Sequence, residues 1–348
     1  MTTPSIQIGQ RTISDAAPCY VIAEIGVNHN GDLDLAHKLI DAAVDAKADA
    51  VKFQTYRTDE LVLPDAAQAA YQSRNLGAEG SQTAMLRRYE LPFEAFAELQ
   101  RHCQARGIDF ISTAFDAPSL EFVISLSPVC LKWASGELTN QPMLLQAAAS
   151  GLPLLLSTGM GSLAEVARSV DWIAGRVPLA ILQCVSDYPA AIEDQNLRVL
   201  PMMRSAFGCP VGFSDHTIGP YAALVARALG MAVLEKHFTL DSTMEGPDHR
   251  ASITPDDFAE MVTLLRKVEA GLGDGIKRPR AVERDVTSVA RKSLVYRHDL
   301  PAGHVVRVED LTAKRPGLGL APDRMDRIVG RALTTAVKGN TLVREQDV

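Results

Sequence analysis

Between Cys19 and Phe238 the chain repeats one unit eight times: a short apolar run that closes on polar residues, followed by a stretch of helical period. The runs cover residues 20–27, 50–55, 108–115, 130–135, 152–159, 177–184, 210–216 and 231–238. They show little alternation, as strands buried on both faces do. The intervening helices are marked by their ends. Asp32 and Asp34 open one through Ala48, with Leu35, Leu39, Ile40 and Ala43 on one stripe. Pro92 sits in the first turn of another that runs to Ala105 and stops at Gly107. Further helices are read over 143–149, 163–174, 221–229 and 255–271, the last with Thr254 as N-cap and Asp257 three residues on. Strands alternating with helices imply right-handed βαβ units, and eight of them predict a closed α/β barrel, the (β/α)₈ TIM fold. The competing open, doubly wound sheet lacks a GxGxxG turn after the first run.

Three segments follow: a barrel over residues 1–275, a polar, Arg-rich linker over 276–290 and a small unit over 291–348. That last unit carries β-like runs at 293–296, 305–308 and 332–336, with turns at Pro301-Ala302-Gly303 and Lys338-Gly339-Asn340.

In a TIM barrel the functional groups stand at the C-terminal ends of the strands, and polar residues collect there. Glu24 ends the first run, Lys52 and Gln54 the second and Thr113 the third. Lys132, Ser135 and Glu137 close the fourth, Ser186 and Tyr188 follow the sixth, Ser214 and His216 end the seventh, and Glu235 and His237 the eighth. Charges in apolar strands are costly unless paired, ligated or used. Period two puts Lys52 with Gln54, Ser214 with His216, and Glu235 with His237 on shared faces, leaving Lys236 on the other. Adjacent strands lie about 4.8 Å apart, so His216 and His237 can share one divalent metal. Two imidazoles with oxygen ligands suit Mn²⁺ first, with Mg²⁺ or Co²⁺ as alternatives. Lys52 and Lys132 supply a positive end for a phosphate and carboxylate substrate; the competing assignment is a structural ion pair with Glu24 or Glu137. Ser157-Thr158-Gly159 has the form of an anion-holding turn before the next helix.

The net charge of -7 and the absence of any Lys/Arg-rich run argue against nucleic acid. Apolar runs such as 152–156 are too short to span a membrane. Residues 1–14 lack the basic start and apolar stretch of a secretory signal, and five scattered cysteines suit a reducing compartment, so a cytoplasmic chain is expected.

These motifs resemble the N-acetylneuraminate (sialic acid) synthase family. The resemblance rests on Val21-Ile22-Ala23-Glu24-Ile25-Gly26-Val27-Asn28-His29-Asn30-Gly31, on Val51-Lys52-Phe53-Gln54, and on Gly212-Phe213-Ser214-Asp215-His216-Thr217. It extends through Glu235-Lys236-His237-Phe238-Thr239, Pro247-Asp248-His249-Arg250-Ala251-Ser252 and a tail similar to the antifreeze-like (β-clip) domain, with Lys314-Arg315-Pro316-Gly317. It implies condensation of phosphoenolpyruvate with N-acetylmannosamine and water, giving N-acetylneuraminate and phosphate. The alternative is a 6-deoxy diacetamido sugar, giving N,N′-diacetyllegionaminate; the Pro247-Asp248-His249 stretch matches the sialic and legionaminic type rather than the pseudaminic one. Carried over by position, Lys52, Thr113, Lys132, Ser135, Ser186 and Ser214 would hold phosphoenolpyruvate. Glu24 and Glu137 would move protons, and Gln54, Asn75, Tyr188 and Asp248 would meet the sugar. Arg315 would reach into the barrel of a partner in a domain-swapped homodimer. Position 186 is Ser where some members have Asn, and 183 is Gln where His is usual. A Schiff-base aldolase using Lys52 or Lys132 is a distant alternative.

Overall fold

The computed structural model describes residues 4–76 and 80–348. Two three-residue strands, β1 (Ile6–Ile8) and β2 (Arg11–Ile13), form an antiparallel hairpin. Eight parallel strands then follow: β3 (Tyr20–Gly26), β4 (Ala50–Thr55), β5 (Asp109–Ala114), β6 (Leu131–Trp133), β7 (Leu154–Ser157), β8 (Leu179–Cys184), β9 (Val211–Asp215) and β10 (Val233–His237). β10 pairs with both β9 and β3, so the sheet closes and the open-sheet alternative is ruled out.

Each strand sorts its residues with period two. Outward side chains such as Val21, Phe53, Trp133, Leu156, Ile181 and Phe213 join the helices in the main apolar cluster. Inward side chains such as Ile22, Ala50, Ile111, Leu155, Leu182 and Val233 fill the lower barrel, where Ile8 and Ile13 of the hairpin pack with them. One step further along the same inward rows stand Glu24, Lys52, Glu235 and the other polar groups. Lys236 points outward, as period two predicts. Its Nζ lies 2.8 Å from Asp215 Oδ2 and donates to Thr217 O at 2.7 Å, which pins β9 to β10.

Local chemistry sets the helix ends. Asp32 accepts from the Asp34 and Leu35 amides at the start of helix Leu33–Asp45, and Ser162 with Glu165 forms a capping box on Leu163–Ile173. Gly107 ends Phe93–Arg106 at φ 71°. Thr254 is the N-cap of Pro255–Leu272, but its hydroxyl donates to the Asp257 carboxylate rather than accepting a backbone N–H.

Several elements go beyond the sequence reading. Helices Ala117–Ser125 and Val199–Phe207 complete the helical ring. The stretch between β4 and β5 holds three more, Thr58–Leu61, Ala70–Leu76 and Gln82–Tyr89, before the Phe93–Arg106 helix. The chain divides into two compact units, Met1–Gly273 and Asp274–Val348. The expected linker contains helix Arg284–Ala290, and a helix rises about 1.5 Å per residue against about 3.3 Å when extended, which shortens its reach. In the C-terminal unit, β11 (Ser293–Tyr296) pairs with β12 (Leu311–Lys314), and single bridges join Val305 to Ala332 and Leu300 to Val337. Its core is Leu294, Tyr296, Val306, Leu311, Ile328, Leu333 and Val343.

Candidate active site at the barrel mouth

The inward polar residues surround a cavity of about 460 Å³ at the C-terminal end of the strands. Its floor is a buried charge network. Lys52 Nζ lies 2.8 Å from Glu24 Oε1 and 3.9 Å from Glu235 Oε2, and donates to Thr113 Oγ1 at 3.1 Å. Lys132 Nζ lies 3.6 Å from Glu235 Oε1. Ser214 Oγ donates to Glu235 Oε1 at 3.3 Å and is 2.8 Å from Ser157 Oγ. Gln54 Nε2 donates to Glu24 Oε1 at 3.1 Å. The competing structural ion pair is thus present for Lys52 with Glu24; Lys132 turns to Glu235 instead.

Electrostatics splits the two carboxylates. Burial, reinforced by the charge of Glu235, pushes Glu24 up, with Lys52 offsetting only part of it. Burial also opposes ionisation of Glu235, but Lys132, Lys52 and His216 outweigh it and hold Glu235 below the usual range. Burial pulls down the ammonium of Lys132. It acts on Lys52 too, where Glu235 and Glu24 overcome it and raise the group. Two environments that drive neighbouring carboxyls apart separate a proton donor from a proton acceptor. Two lysines facing one firmly ionised carboxylate leave positive charge for an incoming anion.

The two histidines stand beside this floor with ring centroids 5.4 Å apart. His216 Nδ1 lies 2.7 Å from Val185 O, which can only accept, so this nitrogen carries a proton. Burial opposes a charge on this ring, but Cys184 and Val185 O outweigh it and raise His216 above its ordinary value, so a cation at Nε2 would displace a proton there. His237 Nδ1 is buried without a partner, 3.9 Å from Asp248 Oδ2. Burial and the neighbouring His216 push His237 well below its ordinary value, keeping it the neutral imidazole a metal needs. One oxygen each of Glu24 and Glu235 is also buried and unpaired. These orphaned atoms, with two imidazoles and nearby carboxylates, fit a divalent cation. No group of three or more His, Cys, Asp and Glu placed to hold a metal occurs among the described residues, so further ligands would come from substrate or water.

Ser135, Ser186 and Cys184 converge on Gly159. A Cβ there would collide with Ser186 Oγ and Ser135 Oγ unless both serines turned away. Gly159 N donates to Ser135 Oγ at 2.9 Å, so that amide is already engaged. At Gly26 the φ of 55° turns β3 away just above Glu24.

Of the residues named from sequence, Glu24, Lys52, Gln54, Thr113, Lys132, Ser135, Ser186, Tyr188, Ser214, His216, His237 and Asp248 line this cavity. Glu137 is not among the lining residues: Asn140 Nδ2 donates to its carboxylate at 2.6 Å. Asn75 lies outside the lining too and is bonded to two backbone carbonyls. Arg315 follows β12 in the C-terminal unit. Sequence reasoning placed Glu235 on the inward face but gave it no role. The available signal was an inward carboxylate in an apolar strand of a barrel whose β4 and β6 carry inward lysines in need of a buried counter-charge.

Comparison with known proteins fits this geometry. Residues 39–277 match the NeuB family and residues 291–348 match the SAF domain. The chain belongs to the NeuB family. The N,N′-diacetyllegionaminic acid synthase of Legionella pneumophila is 42% identical over 94% of each chain. The human N-acetylneuraminate-9-phosphate synthase is 33% identical over 97% of this chain and 94% of its own. A solved N-acetylneuraminic acid (sialic acid) synthetase from Leptospira borgpetersenii, in complex with citrate, superposes with a TM-score of 0.74. It is 34% identical and covers 82% of this chain and 95% of its own.

Proposed function

We propose that this NeuB-family chain condenses phosphoenolpyruvate with the open-chain aldehyde of an N-acetylated amino sugar and water, giving a nine-carbon sugar acid and inorganic phosphate. The observation that carries this reading is the buried floor of Lys52, Lys132, Glu24 and Glu235 beside two convergent histidines. Lys52 and Lys132 meet the phosphate and carboxylate, and the hydroxyls of Thr113, Ser135, Ser186 and Ser214 orient them. Carbon 3 of phosphoenolpyruvate bonds to the aldehyde carbon, whose oxygen takes a proton from Glu24, the carboxyl pushed up by burial. Water adds at carbon 2 and gives its proton to Glu235, the carboxylate held down by the lysines. The carbon 2–oxygen bond then breaks with its electron pair going to phosphate, which also takes the proton of the new carbon 2 hydroxyl and leaves a keto group at carbon 2. His216 and His237 would hold a divalent cation, Mn²⁺ by preference with Mg²⁺ or Co²⁺ as alternatives, which would supply Lewis acidity toward the aldehyde.

Two sugars fit the reaction: N-acetylmannosamine and 2,4-diacetamido-2,4,6-trideoxy-mannose. The segment after β4 favours the second. Leu61, Val62, Met85 and Leu86 give the cavity an apolar wall, and Tyr56 OH already donates to Leu86 O. A methyl at carbon 6 suits that wall; Gln72, Gln82 and the Tyr89 hydroxyl, which is buried without a partner, line the same cavity and are the groups a carbon 6 hydroxyl would have to reach. The Schiff-base alternative is disfavoured by relatives named as synthases and, for Lys52 alone, by the ion pairs that keep it charged.

The same proposal includes a homodimer in which Arg315 serves a partner's barrel, and a reducing, cytoplasmic setting that suits five unpaired cysteines. No helix among the described residues is long and apolar enough to cross a membrane. Light scattering tests the dimer, and Arg315→Ala should raise the sugar KM with kcat nearly unchanged.

The reading is tested by incubating the full-length protein, Mn²⁺ and phosphoenolpyruvate with each sugar. Phosphate release that requires one of them, fastest with the diacetamido sugar, is expected. Release from neither sugar would remove the proposal, and release only with N-acetylmannosamine would reverse the choice of sugar.

A further inference from the structure

Tyr71 lines the cavity from helix Ala70–Leu76, between β4 and β5, and takes no part in the steps above. Its neighbour Gln72 fixes what its hydroxyl can do. The side-chain carbonyl of Gln72 accepts from Ala69 N at 2.9 Å. A backbone N–H only donates, so that atom is the oxygen and the other is the amide nitrogen. The nitrogen, Nε2, donates to Tyr71 OH at 3.3 Å. The Tyr71 oxygen therefore accepts, and its own hydrogen is left over, taken by no acceptor among the described residues. Burial, reinforced by the charge of Asp248, pushes the phenol up, so it keeps that hydrogen. The Tyr71 ring lies 4.8 Å from the Tyr188 ring, centroid to centroid, and the Tyr188 ring lies 4.0 Å from that of His216 and 5.4 Å from that of His237. Tyr188 thus faces both candidate metal ligands, and Tyr71 stands one ring further out.

We infer that Tyr71 is a specificity-determining residue whose hydroxyl donates to the carbonyl of an acetamido group on carbon 4 of the sugar, with Gln72 as the residue that positions it. The inference rests on the condensation reading and on its choice of the diacetamido sugar. With the aldehyde at His216 and His237, the acetamido group on carbon 2, which both candidate sugars carry, lies beside the reacting end. Carbon 4 is two carbons further out, toward Tyr71. The carbonyl oxygen of an acetamido group there lies two bonds beyond the atom attached to carbon 4, so a hydroxyl on that carbon falls short of the same point. An amide carbonyl accepts and does not donate, which matches a phenol whose one remaining role is to donate. The acetyl methyl joins the carbon 6 methyl on the apolar wall of Leu61, Val62 and Met85.

The test compares the diacetamido sugar with 2-acetamido-2,6-dideoxy-mannose, which differs from it only by a hydroxyl at carbon 4. The quantity read is the ratio of kcat/KM for the two, from phosphate release, or from competition where the second sugar turns over too slowly. It is measured on the full-length wild type, Tyr71→Phe and Gln72→Leu. A ratio cancels whatever a substitution does to folding or metal loading. Tyr71→Phe keeps the ring against Tyr188 and loses the donor, so the ratio should fall about tenfold. Gln72→Leu keeps the donor but lets it turn, so the ratio should fall less, by about threefold. A wild-type ratio in Tyr71→Phe, whether from equal losses on both sugars or from none, would overturn the inference. A fall in Gln72→Leu that is absent, or larger than that in Tyr71→Phe, would overturn the positioning role of Gln72. A wild type that releases phosphate with no amino sugar removes the condensation reading, and one that uses only N-acetylmannosamine removes the choice of sugar; the inference falls with either. A wild-type preference for the diacetamido sugar that survives in Tyr71→Phe removes the inference alone.

Discussion

The lower and upper halves of the barrel interior are built from the same strands, two residues apart, and have opposite chemistry. Below, Ile22, Ala50 and Val233 pack with Leu155 and Leu182 and are closed off by Ile8 and Ile13. Above, the next inward positions on three of those strands are Glu24, Lys52 and Glu235, three ionisable groups 1–5% exposed. The lower half gains from apolar burial at about 25 cal/mol per Å². The upper half gives up part of that gain by holding charges out of water with several lone pairs unpartnered. A core chosen for stability alone would not place them there. The contrast locates function by its physical cost, independently of any relative.

The contrast can be broken at four points. The largest effect is expected from His216→Ala or His237→Ala, each losing about a thousandfold or more in phosphate release while circular dichroism stays that of the wild type. Next, Glu235→Gln leaves Lys132 without its carboxylate. A loss of about 3–5 kcal/mol in a urea titration is expected, largely recovered by saturating phosphoenolpyruvate, whose negative charge replaces it. In the lower half, Leu155→Ala should cost about 2–5 kcal/mol through a cavity with kcat/KM unchanged below the unfolding transition. A ligand-dependent rescue of Leu155→Ala as large as that of Glu235→Gln would erase the distinction between the halves.

The smallest effect concerns acid. His29, at the end of β3, accepts from Gly31 N through Nδ1, and burial lowers it to about 4. The folded chain thus resists a proton that the unfolded chain takes up near the ordinary 6.5. Stability is full above that value and falls as pH drops from 6.5 toward 4. The penalty is about 2 kcal/mol at pH 5, and His29→Gln should reduce the slope of urea titrations between pH 7 and 5 by that amount, leaving the share of His237 and His249, which burial also lowers.

Much of this was legible in the sequence. All eight barrel strands were, because a doubly buried strand must be apolar on both faces. The inward rows followed from period two, which brought Lys52, Ser214, His216 and His237 to one place. The hairpin Ile6–Ile13 was missed because three-residue strands carry too little pattern. The helices after β4 were missed because their apolar residues, Leu61, Leu76, Met85 and Tyr89, join a local cluster of their own instead of a stripe on the main core. Glu137 and Asn75 show the other limit. Sequence places a residue near the mouth but not its side-chain partner: that of Glu137 is Asn140, three residues on, whereas those of Asn75 lie 113 and 172 residues away.

The central claim is that the upper barrel is an anion and metal site that joins a three-carbon phosphate ester to an amino-sugar aldehyde. The most direct check is phosphate release in water enriched in ¹⁸O, with phosphoenolpyruvate, Mn²⁺ and the diacetamido sugar. Water adding at carbon 2 should place the label in the sugar acid and leave the released phosphate unlabelled. Label in the phosphate, or phosphate released at the same rate without sugar, would contradict the account.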